Sequence, residues 1–144
     1  MKVISMNINM NKNEIIIGIG TDIIEIQRIA KAIDKYGQKF LDKLFSKKEQ
    51  EYCNKYNDAA PRFAARFAAK EAIVKALGTG FGKSISFLDI EIINAPSGQP
   101  TVALSKLCSD NFNNPYFHLS IAHCHNYTTA TAISYQKISS NENR

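Results

Sequence analysis

The chain has few cysteines, no long apolar run and no internal repeat, and each absence closes off a class of protein. Among its 144 residues there are three cysteines, Cys53, Cys108 and Cys124. They are odd in number, widely spaced and without a Cys-x-x-Cys pair, which gives neither a disulfide framework nor a zinc site and predicts reduced, structural thiols. No apolar stretch approaches the roughly 18 to 20 residues that a membrane span needs. The opening residues, with Asn7, Asn9, Asn11, Lys12 and Asn13, lack the apolar core of a signal peptide, so a cytoplasmic protein is expected. No P-loop, dinucleotide fingerprint, RNA-module motif or low-complexity segment is found either.

What is present describes an ordinary globular chain, with 44% hydrophobic and 22% charged residues. That is enough apolar material for one folded domain with a real core. Residues 1–14 read as a polar extension, 15–138 as a single domain and 139–144 as a frayed tail, and Met10 offers an alternative start. Eighteen Lys and Arg against thirteen Asp and Glu leave a formal charge of +5 and a pI near 9.1. An acidic partner is therefore expected: a phosphate, a nucleic acid or an acidic protein surface.

Periodicity supplies a coarse map. Ile15 to Gly20 reads as a strand, and Ile23, Ile26, Ile29, Ala30 and Ile33 as a helical stripe ending near Gly37. Ser46-Lys47-Lys48-Glu49 fits a capping box that opens a short helix to about Tyr56. Pro61 suits the first position of a helix and Gly78 the residue just past its end, which delimits a helix over Pro61 to Leu77. Gly78 to Ser84 is a glycine-rich loop with one lysine, read as a helix terminator and connection whose amides could approach phosphate. Phe87 to Asn94 reads as a strand, Pro96 to Gln99 as a turn, Pro100 to Leu104 as the hairpin partner and Ser105 to Phe112 as a short helix. Tyr116 to His123 alternates, with Phe117, Leu119 and Ile121 on one face and His118 and Ser120 on the other, and Tyr127 to Tyr135 makes a last strand. Without βαβ repetition, this order predicts an α+β fold with a mostly antiparallel sheet packed with helices.

Two acids stand out. Phe63, Phe67, Val74 and Leu77 form one stripe of their helix, and Glu71 lies on its shoulder, four residues after Phe67. A partly desolvated carboxylate needs a partner. Lys75, one turn on, could provide it as a plain surface pair. Asp22 follows the first strand at a strand-to-helix junction, where an Asp either caps the helix or faces a ligand. Taken together, the two carboxylates suit a hard cation such as Mg²⁺, whose remaining ligands would come from water and substrate phosphate.

Three separated segments resemble one family. Gly18-Ile19-Gly20-Thr21-Asp22-Ile23-Ile24-Glu25, Arg66-Phe67-Ala68-Ala69-Lys70-Glu71-Ala72-Ile73-Val74-Lys75-Ala76 with Gly78-Thr79-Gly80, and His118-Leu119-Ser120-Ile121-Ala122-His123 are similar to the motifs of bacterial holo-[acyl-carrier-protein] synthases. The likeness runs from about Ile15 to Tyr135. It implies the 4′-phosphopantetheinyl transferase fold, and transfer of the phosphopantetheine arm of coenzyme A to a serine of apo acyl carrier protein. The other product would be adenosine 3′,5′-bisphosphate, and the pathway fatty acid biosynthesis.

Carried over by position, the resemblance implies Mg²⁺ on Asp22 and Glu71, and catalytic roles for Glu71, Lys75 and His118. Coenzyme A would be held by Lys75, Gly78, Gly80, His118 and Ser120, and the acidic carrier helix would dock on Arg28, with Lys31 and Lys35 sharing its basic face. His118 is one candidate base for the acceptor serine, beside Glu71 and a metal-bound water, although a strand histidine can equally be structural. A homotrimer with active sites between subunits is also implied, with Asp22 and Glu71 open to coming from different chains. Three rival readings fit the sequence less well. A metal-dependent phosphoesterase would show denser Asp/His clusters, a nucleic-acid binder would interleave exposed aromatics with its basic residues, and a broad-specificity transferase resembles two such domains fused.

Overall fold

The computed structural model describes residues 13 to 139. In chain order they form β1 (Glu14–Glu25), α1 (Ile26–Tyr36), α2 (Gln38–Leu44), α3 (Lys47–Cys53), α4 (Ala60–Ala76), a 3-10 turn (Phe87–Asp89), β2 (Ile90–Asn94), β3 (Pro100–Leu104), α5 (Lys106–Asn111), β4 (Tyr116–His123) and β5 (Tyr127–Lys137). One sheet has the order β1-β5-β4 and a separate hairpin pairs β2 with β3, all antiparallel, so the fold is α+β as expected. Most of the polar extension and nearly all of the C-terminal tail lie outside the described residues.

β1 is longer than its apolar pattern suggests. It pairs with β5 from Glu14 opposite Lys137 to Glu25 opposite Tyr127, with one irregularity between Ile16 and Gly18. The ladder to β5 outweighs the helical spacing of Ile23, Ile26 and Ile29, so Ile23 is an outward strand residue and the helix begins at Ile26. Sequence reading also extended the next strand too far upstream: Phe87–Asp89 is a 3-10 turn, closed by reciprocal bonds between Ser86 and Asp89.

Strand alternation gives the sheet two unlike faces. Gly20, Asp22 and Ile24 of β1, Ala130, Ala132 and Ser134 of β5, and Phe117, Leu119 and Ile121 of β4 point inward. Onto them packs α4, whose Ala64, Ala68, Ala69 and Ala72 have no exposed surface. The approach depends on two glycines, because a Cβ on Gly18 would land on the Ala76 carbonyl and one on Gly20 on the Ala72 carbonyl. The outer face carries Ile19 and Ile23, 68% and 67% exposed, beside Thr131 and Ile133.

The ends of α4 follow from their residues. Pro61 occupies the second helical position, one later than expected, and Gly78 sits at φ +74° past the end. Gly78 N–H donates to the Lys75 carbonyl and Thr79 N–H to that of Val74, a Schellman closure that needs the left-handed glycine. At α3 both arms of the expected capping box are present between Ser46 and Glu49. Glu49 does more than cap: wholly buried, it accepts from Ile92 N–H at 2.9 Å and from Lys70 Nζ at 2.8 Å. Lys70 in turn donates to the carbonyls of Leu44 and Phe87, so the buried ion pair ties α2, α3, α4, the 3-10 turn and β2 together.

Candidate active site

Asp22 and Glu71 meet in one chain. β1 presents Asp22 on the face that α4 covers, and α4 presents Glu71 and Lys75 one turn apart above it. Lys75 Nζ donates to Asp22 Oδ1 at 3.0 Å and to the Thr21 carbonyl at 2.9 Å. The lysine has thus turned from its helical neighbour Glu71 to the strand acid. Asp22 is no helix cap, since α1 begins after Glu25, which itself makes no side-chain cap bond. The Asp22 carbonyl is also fixed, accepting from Thr129 Oγ1 at 2.9 Å. Burial raises the Glu71 carboxyl above its ordinary range, and the Asp22 charge raises it further against the opposing pull of Lys75. The single ammonium thus pairs with Asp22 alone and leaves Glu71 beside a second acid without a bonded cation, a charge imbalance that a divalent cation would relieve. Among the described residues no cluster of three or more His, Cys, Asp or Glu gathers elsewhere as a metal cage.

The remaining expected site residues fall in different places. Gly78 closes α4 beside Lys75, and Gly80 lies exposed in the loop beyond it. Phe81 of that loop stacks on Phe87 at 3.8 Å, and Phe87 on Phe67 at 5.3 Å, so aromatic contacts hold the loop against α4. His118 and Ser120 lie on the outer face of the sheet, where His118 stacks on Tyr135 at 4.7 Å. They therefore share a chain with Asp22 and Glu71 but face the other way. Arg28 is exposed on α1 with Lys31 and Lys35, opposite the buried Ile26 and Ile29.

A family model described as the 4′-phosphopantetheinyl transferase superfamily matches residues 18–132. The chain belongs to that superfamily. It is 54% identical over 117 residues to a holo-[acyl-carrier-protein] synthase of Protochlamydia amoebophila, covering 81% of this chain and 96% of the relative. To that of Chlamydia felis it is 52% identical over 116 residues, covering 81% and 94%. Among solved structures, the Helicobacter pylori holo-[acyl-carrier-protein] synthase in complex with coenzyme A is similar with a TM-score of 0.75 at 38% identity, covering 81% of this chain and 98% of that one. The Bacillus anthracis synthase in complex with CoA (3′,5′-ADP) gives 0.73 at 37%, covering 85% and 98%.

This transferase chain also carries a cationic pocket that sequence reading missed. Arg62 and Arg66 stand one turn apart on α4, over the rings of Tyr56 and Tyr52 at 4.0 and 4.1 Å. Arg66 is buried, and its Nη2 donates to Asn94 Oδ1 at 2.7 Å. With Asn94, Pro100, Ile121 and His123 they line a pocket of about 190 Å³. Nine residues separate Arg62 from Glu71 and Arg66 from Lys75, about two and a half helical turns, so the arginines and the acid site occupy opposite flanks of α4. The available signal was two like charges at i and i+4 on a helix otherwise rich in alanine.

Proposed function

We propose that this chain transfers the 4′-phosphopantetheine arm of coenzyme A to a serine of apo acyl carrier protein, releasing adenosine 3′,5′-bisphosphate and supplying holo carrier protein for fatty acid biosynthesis. The observation that carries the reading is the Asp22–Lys75 pair with Glu71 beside it, in a chain of this superfamily. Asp22 and Glu71 fit Mg²⁺, being neighbouring hard oxygen donors of which only Asp22 is paired with a cation. When bound there, the ion supplies charge neutralisation at the pyrophosphate.

The chain's own groups then divide the work. The acceptor serine oxygen bonds to the phosphorus that carries pantetheine, and the bond from that phosphorus to the bridging oxygen breaks, sending its electrons to the nucleotide. Lys75, pinned to Asp22 and Thr21, sets a positive charge beside the leaving pyrophosphate oxygens, with Gly78 and Gly80 offering backbone at the end of α4. The serine proton passes to a base, either Glu71 from the same chain or His118 from a neighbour. The Arg62–Arg66 pocket gives the nucleotide's remaining phosphate a cationic seat.

The working unit on this reading is a homotrimer with active sites between subunits. Its support is the facing of the residues: His118 and Ser120 look away from Asp22 and Glu71, and the exposed Ile19 and Ile23 make the outer sheet face apolar. Subunit contact would cover that face and bring His118 and Ser120 of one chain to the acids of another. Arg28, with Lys31 and Lys35, steers and docks the acidic carrier helix. The domain spans residues 15–138 and works in the cytoplasm; among the described residues no helix is long and apolar enough to cross a membrane.

Intact-mass spectrometry of apo acyl carrier protein with coenzyme A and this chain tests the reading. A phosphopantetheine-sized gain with Mg²⁺, absent with EDTA, is the expected result. No gain on a competent carrier overturns it.

A further inference from the structure

We propose that Phe81 is a positioning residue. By stacking on Phe87 it pins the glycine-rich loop 78–84 along α4, so that the loop's backbone amides stand beside Glu71 and Lys75 for the pyrophosphate of coenzyme A. The inference rests on the coenzyme A reading above and deepens it.

The loop has little else to hold it. After the Schellman closure at Gly78 and Thr79, one backbone N–H between Gly80 and Ser84 finds a backbone acceptor among the described residues: that of Gly82, which donates to the Ile85 carbonyl at 3.0 Å within the same bend. The N–H groups of Gly80, Phe81, Lys83 and Ser84 find none there. A Cβ on Gly80 or Gly82 would meet nothing within 4 Å, and neither backbone is left-handed. Packing and backbone geometry therefore do not call for glycine at these two positions, whereas movement of the chain and close approach of a ligand do. Free N–H groups in a bend are natural partners for phosphate oxygens.

Phe81 supplies the anchor. Its ring lies 3.8 Å from that of Phe87 and 11° from parallel, and Phe87 lies 5.3 Å from Phe67 of α4. Phe87 is itself fixed, since its carbonyl accepts from the buried Lys70 Nζ at 3.0 Å. The chain thus leaves α4 at Gly78 and by Phe81 has come back toward Phe67, about three helical turns earlier. Glu71 lies between those two levels, one turn after Phe67 on the same side of the helix, so the loop runs back along the flank of the acid site. An untethered glycine loop would have to be ordered at the moment of binding, and that entropy would be subtracted from the affinity. The aromatic stack orders it beforehand.

Amide hydrogen exchange of the ligand-free full chain, read by mass spectrometry, and calorimetry with coenzyme A decide it, with a thermal melt for each variant. Phe81→Ala should speed exchange across residues 78–84 by roughly tenfold and leave the rest of the chain at wild-type rates. It should also weaken coenzyme A binding by roughly tenfold. With apo carrier protein as acceptor, the KM for coenzyme A should rise by the same factor while kcat stays near wild type, and Phe81→Tyr, which keeps the ring, should restore all three. Wild-type exchange or wild-type affinity in Phe81→Ala overturns the proposal, as does a Phe81→Tyr that behaves like Phe81→Ala. So does faster exchange spread over α4 and the sheet, which would mark a merely structural role. Should Phe81→Ala fail to fold, Phe81→Leu carries the same expectations. Failure of coenzyme A to bind the wild type would sink the functional reading, while exchange in the ligand-free loop would still judge the anchor.

Discussion

Lys75 on α4 gives its ammonium to Asp22 of β1 across 3.0 Å, and Glu71, one turn earlier on the same helix, faces the Asp22 charge with no hydrogen-bond partner among the described residues. Asp22→Asn should therefore disable the site in two ways, removing one carboxylate and loosening the lysine. Since Asp22 is partly exposed, the fold should survive. The expected outcome is a fall in transfer rate of roughly a hundredfold or more with little change in melting temperature. Transfer at the wild-type rate would mean the acids do not hold the metal.

Glu71 should leave a signature in stability as well as in activity. Its folded carboxyl holds a proton more tightly than the unfolded one, whose ordinary value is 4.5. Between that value and the raised one the folded state binds more protons, so metal-free stability falls as pH rises through the window just above 4.5. Glu71→Gln removes that slope. The variant should melt higher than wild type at neutral pH without metal, gain nothing from added Mg²⁺ and fail to transfer. Thermal melts across pH, with and without Mg²⁺, check all three.

How much of this was legible in the sequence depends on whether the cause was local. Pro61 and Gly78 punctuate α4, Ser46 and Glu49 cap α3, and the alternation of β4 separates His118 from Leu119, so each was readable from a few neighbouring residues. Ile23, Ile26 and Ile29 mimic a helix and so predict a strand end at Asp22, and only the pairing with β5, over a hundred residues away, makes Ile23 a strand residue. The Glu49–Lys70 pair and the Arg66 pocket were invisible for the same reason. In sequence they look like ordinary charged helix positions, and their burial comes from β2 and the packing of α3. The family motifs named Asp22, Glu71 and Lys75, but the direction in which Lys75 points required the fold.

Gly20 should prove the least replaceable residue of β1. Gly20→Ala puts a methyl onto the Ala72 carbonyl and near the Lys75 Cβ at 2.9 Å, so α4 must shift away from the sheet. A loss of about 2 kcal/mol is expected from such overpacking, accompanied by weaker Mg²⁺ binding because Glu71 and Lys75 move with the helix. Denaturant unfolding and Mg²⁺ titration of the same variant check both. A stable variant with intact metal binding would show that α4 is not held by this contact.

Lys70 and Glu49 make a complementary case. Lys70→Met alone leaves a wholly buried carboxylate without its cation, at a cost of about 3 to 5 kcal/mol. Adding Glu49→Leu removes the stranded charge, so the double variant should recover part of the loss, the remainder being the cost of the Ile92 and Ser46 N–H groups and the Leu44 and Phe87 carbonyls left without these partners. A double-mutant cycle by denaturant unfolding measures the coupling. Additive losses would mean that the two residues act independently and that the pair is not what joins α3 to α4.

Subunit mixing addresses the division of the site between chains. Asp22→Ala removes the acid side, His118→Ala the outer-face side, and each homo-oligomer should be inactive or nearly so. When the two are unfolded and refolded together at equal concentration, a chain with intact Asp22 can sit beside one with intact His118, and random pairing gives about one complete site in four. Activity should then return to roughly that fraction of wild type, whereas a site built within one chain would stay dead in every mixture. The exposed isoleucines supply the control. Ile19→Asp places a charge on the apolar outer face, and size-exclusion chromatography with light scattering should find monomers that keep their fold, lose transfer and are not rescued by mixing.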